Sequence, residues 1–247
     1  MIFLIIILGL FIGSFLNVVI YRLPKNQSLM YPRSYCPVCK EKLKIIDLIP
    51  ILSYFINKGK CRYCGNKISF QYPLVESITA FLFLLTFLKY GLNTEFIIYI
   101  LLISSLICVS FIDFRYQIIP NEITFVFIPL GLIFSLIFKH MIFMNSLLGL
   151  IIPSGLLLLI AFIYKSGMGI GDVKLIGMIG VFLGWKFALI SIFIGALVGS
   201  IYGIYIMFIG KGNRKTRIPF GPFISLGAVI MILYGNNLIN IYIKVFF

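Results

Sequence analysis

Two aspartates and two pairs of cysteines are the residues of this chain best suited to chemistry. Asp113 ends an apolar run in CVSFIDFRYQIIPNE, and Asp172, 59 positions later, stands behind alternating glycines in GMGIGDVK. Two carboxylates brought together share a proton, so that one serves as base toward water while the other serves as acid toward a peptide carbonyl. The titration then belongs to the pair. The same pair inside a membrane also suits the proton relay of a transporter, and the aspartates alone leave that choice open. Gly169 and Gly171 favour hydrolysis. They clear side chains from beside Asp172, so that an extended chain can approach, and they admit dihedrals closed to other residues. Irregular backbone at membrane depth is tolerated only inside protein or around a wet cavity. Taken alone, a GxGD tetrapeptide is also an ordinary helix-connecting turn.

The cysteines fall as Cys36-Pro37-Val38-Cys39 and Cys61-Arg62-Tyr63-Cys64, with 21 residues between the pairs. A CxxC turn aims two thiolates at one centre, and two such turns complete a four-sulfur shell around Zn²⁺. Lys60 and Arg62 favour the thiolate form. Disulfides or a redox pair are the competing reading, which a cytoplasmic location disfavours. Four cysteines leave no open position for water, so the zinc would be structural. Cys108, alone in an apolar run, reads as a packing residue.

These groups must be positioned by helices in a bilayer. Of 247 residues 61% are hydrophobic and 11% charged, with mean hydropathy +1.11, too apolar for an ordinary soluble globule. Runs of the length a transmembrane helix requires predict about eight spans, near 2–21, 72–90, 95–112, 123–139, 145–164, 173–186, 187–209 and 219–242. The fold class is therefore an all-α polytopic membrane protein with a small zinc-bound cytoplasmic loop domain. Its expected parts are a first helix over 1–21, a four-cysteine zinc domain over 22–71 and a membrane domain over 72–247 that carries both aspartates. The first run carries no basic residue ahead of it and no cleavage pattern behind it, so it is expected to remain as a helix. Basic residues follow it at once, which places 22–71 in the cytoplasm and both termini outside. On that topology only Lys89, Lys139, Lys186 and Lys244 of the 21 basic residues lie outside. The net charge of +14 then speaks for orientation and for anionic lipid headgroups. No basic groove with interleaved aromatics suggests nucleic acid.

The remaining acids divide simply. Glu41 and Asp47 lie among lysines and read as solvated, while Glu95 and Glu122 suit helix termini. Glu76, about one turn into the second span, is either functional or an acid at a helix start near Pro73. Gly195, Gly199 and Gly203 share one helix face and should seat it against a neighbour.

Read together and in order, these segments resemble the type IV prepilin leader peptidases, membrane aspartic proteases of the GxGD class. GSFLNVVIYRLP at 13–24 resembles their N-terminal signature. The CPxC and CRxC pairs follow, with Asp47, Pro50, Ser53 and Tyr54 between them, and then ISFQYPLVE at 68–76. FIDFRYQIIPN and GMGIGDVKL resemble the two aspartate motifs, and IPFGPF at 218–223 the C-terminal one. The resemblance implies a bacterial cytoplasmic-membrane enzyme that removes the short basic leader of a prepilin or pseudopilin with Asp113 and Asp172 as catalytic pair. It also implies N-methylation of the new terminus with S-adenosylmethionine. Cys36, Cys39, Cys61 and Cys64 match the metal ligands, and Gly59 and Lys60 a segment linked to methylation, with Glu76 as a further candidate there. Asn17 and Arg22 match motif positions without an assigned role. A peptidase without methyltransferase activity, a proton-coupled transporter and a membrane-anchored docking module are the alternatives. Neither the particular pilin nor the oligomeric state is legible.

Overall fold

Apolar runs of this length satisfy their backbone polar groups in lipid only as helices, and helices make up most of the chain. The computed structural model describes residues 1–163, 169–210 and 217–246, without the side chains of 241–243, 245 and 246. Gly167 and the basic residues Lys165, Lys211, Arg214 and Lys215 lie outside the described residues. The helices are α1 (Ile2–Arg22), α2 (Leu52–Ile56), α3 (Gln71–Tyr90), α4 (Thr94–Tyr116), α5 (Asn121–Ile137), α6 (Phe143–Ile163), α7 (Ile170–Phe208) and α8 (Gly221–Phe246). Among the described residues, β-structure is limited to the isolated bridges Tyr35–Lys42 and Lys60–Lys67.

Six of these helices are long and apolar enough to cross a membrane, and α5 is a shorter apolar helix. The chain is a multi-pass, all-α membrane protein. The spans expected at 173–186 and 187–209 are the two arms of α7, which breaks at Gly184 (φ 78°, ψ 166°). That conformation is nearly closed to residues with a Cβ. The first arm begins at Ile170, three residues ahead of the expected start.

The chain falls into two compact units, Met1–Leu92 and Asn93–Phe247. In the first, α1 lies along α3 so closely that a Cβ on Gly13 would stand 2.7 Å from the Glu76 Cα. At the end of α1, Arg22 is buried without an acid partner. Its guanidinium instead donates to the carbonyls of Ser28 (2.9 Å) and Pro32 (2.7 Å), fixing the chain where it leaves the helix. In the second unit α6 crosses α7 with Gly149 against Gly180, and α7 meets α8 as the glycine face predicts. Gly195 lies on the Ile224 backbone, Gly199 on the Phe223 ring and Gly203 on Ile218. α4, the most deeply buried span, packs against α8.

Candidate active site and metal site

Asp113 sits in the last turn of α4 and is buried. Its Oδ2 accepts the Gly221 N–H at 2.9 Å, from the first residue of α8. Asp172 lies in the first turn of α7, where Gly169 is the N-cap and its carbonyl accepts the Asp172 N–H at 3.1 Å. Two helix N-termini, whose unpaired N–H groups favour negative charge, thus stand beside the two carboxylates. Both aspartates line one cavity of about 270 Å³. A larger cavity of about 320 Å³ along α7 and α8 has no titratable group among the described residues that line it.

The rest of the carboxylate cavity comes from the connection between α4 and α5 and from the start of α7. Gln117 turns the chain with a left-handed backbone (φ 55°), and its Nε2 donates to the Arg217 carbonyl at 3.2 Å. Lys174 donates to Asn121 Oδ1 at 2.8 Å and stands 5.0 Å above the Phe125 ring. The glycines act differently from the sequence expectation. Gly169 has an ordinary φ of −81° and Gly171 is helical, so neither uses the dihedral freedom of glycine. What they keep is space. A Cβ on Gly171 would press on Ile119 at 3.1 Å, whereas around Gly169 the nearest group is Asp172 Oδ2 at 3.7 Å. Among the described residues, a Cβ at Gly169 would meet only Asp172 Oδ2 and the Gly171 N within 4 Å.

The four cysteines converge. Their Sγ atoms all lie within 4.8 Å of one another, and those of Cys36 and Cys64 are 3.9 Å apart. A tetrahedral zinc with Zn–S near 2.3 Å sets sulfurs about 3.8 Å apart. The donor set therefore fits a zinc ion after a small contraction. The two turns repeat one design. Cys36 N–H donates to the Glu41 carbonyl and Cys61 N–H to that of Asn66, and each turn closes through a left-handed residue, Lys40 (φ 58°) or Gly65 (φ 70°). Burial acts to raise the Cys36 thiol, but N–H groups of Cys39 and Val38 and the neighbouring thiols outweigh it and bring it to about 7. At Cys39 the Glu41 N–H acts downward, while burial, Cys36 and Cys64 push the thiol up to about 11. One thiolate thus suppresses the next, and a divalent cation relieves that competition.

Asp47 is not solvated as expected. Its carboxylate accepts from the Tyr63 hydroxyl at 2.9 Å and the Lys44 N–H at 3.0 Å, and it pairs with Arg62 at 3.8 Å, so it braces the second cysteine turn. Glu95 and Glu122 do fall in first turns of helices, and Cys108 is buried in α4. Glu76 is buried on α3, Gly59 is left-handed (φ 67°) and Lys60 is exposed.

Comparison with known proteins adds to this geometry. Residues 7–90 match the family model described as "Bacterial Peptidase A24 N-terminal domain", and residues 100–204 that of the "Type IV leader peptidase family". A prepilin leader peptidase/N-methyltransferase of Bacillus subtilis (strain 168) is 37% identical over 238 residues, 96% of each chain. The chain belongs to the type IV leader peptidase family. Proteins of the same name from Legionella pneumophila and Xanthomonas campestris are 33% and 34% identical, covering 98% and 96% of this chain and 95% and 92% of their own. No solved structure matches. Both aspartates fall within the residues matched to the type IV leader peptidase family, and the four cysteines within the N-terminal match. Gly221 lies beyond both. It and the polar trio Gln117, Asn121 and Lys174 are the site residues that sequence reasoning passed over, although IPFGPF, RYQIIPN and GMGIGDVKL hold all four.

Proposed function

We propose that this protein is a membrane aspartic endopeptidase that removes the leader of type IV prepilins or pseudopilins and methylates the new N-terminal residue. The observation that carries the reading is the shared cavity of Asp113 and Asp172 at the ends of α4 and α7. In the first step one carboxylate takes a proton from water as its oxygen attacks the scissile carbonyl, and the other gives a proton to the carbonyl oxygen. Collapse of the tetrahedral species then expels the amine, which takes up the proton drawn from water, while the hydroxyl of the former carbonyl returns its proton to the second carboxylate. The Gly221 N–H fixes one oxygen of Asp113, and the lack of a side chain at Gly169, beside Asp172, would let a substrate strand approach. A substrate with an apolar helix next to its leader would lie in the bilayer beside the enzyme, with the scissile bond at the depth of the carboxylates.

Residues 22–71 would form a cytoplasmic zinc domain in which Cys36, Cys39, Cys61 and Cys64 hold a structural ion, and 72–247 the peptidase domain. The ion supplies a cross-link to a segment with little apolar core of its own. S-adenosylmethionine would supply an electrophilic methyl group to the newly exposed amine. All the basic residues but Lys89, Lys139, Lys186 and Lys244 would face the cytoplasm and its anionic headgroups, with both termini on the opposite side.

Co-expression with candidate prepilins, reading leader loss by mass, tests the peptidase. Asp113→Asn and Asp172→Asn each should lower cleavage by at least about a hundredfold while the protein still inserts, and undiminished cleavage in either variant defeats the assignment. Labelled S-adenosylmethionine tests the second activity, and cleavage without label transfer leaves a peptidase alone.

A further inference from the structure

The buried carboxylate of Glu76 takes no part in the cavity of Asp113 and Asp172. It stands on α3, with Ser14 of α1 as a polar neighbour, and its Oε2 accepts the Ile51 N–H at 2.7 Å. Ile51 is held at φ 62°, ψ −54°, a region closed in practice to β-branched residues unless the surroundings over-determine it. Two hydrogen bonds hold it there: the carboxylate captures the Ile51 N–H, and the Leu52 N–H donates across the turn to the Pro50 carbonyl at 2.6 Å. Ile51 is the N-cap of the five-residue helix α2, so the capture of its N–H sets where that helix starts and which way it runs.

Tyr54 on α2 then touches Gly59 twice. Its carbonyl accepts the Gly59 N–H at 2.8 Å, and its hydroxyl lies 3.0 Å from where a Cβ of residue 59 would be. The Gly59 carbonyl in turn accepts the Ile68 N–H at 2.8 Å, and the Phe70 ring, one residue before α3, meets the Tyr54 ring edge-on at 6.3 Å. The path leaves α3 at Glu76 and returns to α3 past Phe70. Gly59 and Lys60 lie on the turn it encloses.

We infer that Glu76 is a positioning residue for methyl transfer, which fixes the Gly59–Lys60 turn through the Ile51 backbone and Tyr54. The inference rests on the methylating half of the proposed function and assigns Glu76 no part in leader cleavage.

The test compares purified wild type with E76Q, E76L and E76L/I51G, measuring leader loss by mass, methyl transfer from labelled S-adenosylmethionine to the cleaved pilin, and zinc per chain. Glutamine keeps an acceptor for the Ile51 N–H, leucine does not, and glycine at 51 adopts the left-handed backbone without the carboxylate. E76L should cleave within about twofold of wild type and keep its zinc, but transfer methyl about a hundredfold more slowly. E76Q should stay within about threefold of wild type, and E76L/I51G should regain much of what E76L loses. Equal methyl transfer by wild type and E76L overturns the inference alone. So does an E76L protein that loses zinc and cleavage together, or one that glycine at 51 fails to rescue. A wild type that cleaves but transfers no methyl overturns the methylating reading and this inference with it.

Discussion

A backbone N–H 108 residues away in the chain holds Asp113 in place, and Gly221 can donate it only because it has no side chain. A Cβ there would stand 2.7 Å from the Asp113 Oδ2, with helix backbone on one side and a buried carboxylate on the other. Gly221→Ala should therefore slow cleavage about a hundredfold, the scale of a catalytic group misplaced by about an ångström. Initial rates on purified prepilin, with thermal unfolding as control for folding, measure it. Cys61→Ser should leave the cluster three sulfurs, and zinc per chain should fall well below one equivalent, as read by elemental analysis. At this scale Asp172 and the cysteines were legible because their neighbours in sequence mark them, alternating glycines and a two-residue spacer, while Asp113 was legible as a lone acid closing an apolar run. Gly221 was not, since nothing local couples it to Asp113. Asp47 misled because lysines surround it in sequence, whereas in space it meets Tyr63 and Arg62.

Helix lengths carry the element scale. A straight helix of the 39 residues of α7 would be about 58 Å long, nearly twice the hydrocarbon core of a bilayer. So a break was legible from length alone. Its place was legible to within three residues, since the spans expected at 173–186 and 187–209 meet just past Gly184; that the turn falls on the glycine itself shows only in the backbone geometry. Gly184→Ala should destabilise the protein by about 1–3 kcal/mol, the cost of a Cβ in that region of dihedral space. The added atom would also meet the Asn145 amide at 2.9 Å. Thermal unfolding in detergent, compared with Gly155→Ala, where a Cβ meets open space, separates this from a general effect of alanine. The contact of Gly195 with Ile224 shows the opposite case: three glycines at four-residue spacing named the packing face correctly without naming the partner helix.

Over the whole molecule, the asymmetry of charge predicts orientation. Lys40, placed in the cytoplasm by the basic residues around it, should after replacement by cysteine in a background lacking Cys36, Cys39, Cys61, Cys64 and Cys108 react with a membrane-impermeant thiol reagent in inverted vesicles and not in intact cells. The reverse result would invert the topology. Composition and hydropathy made the membrane class legible at this scale, while the division into Met1–Leu92 and Asn93–Phe247 was not, because α3 reads as one more span until its packing on α1 is seen. The contact between α4 and the start of α8 also bears on how such an enzyme is made. Asp113 and Asp172 leave the ribosome well before Gly221, so a chain still in synthesis carries both carboxylates without the donor that seats the first. Proteolytic competence would then arrive only once α8 is in place.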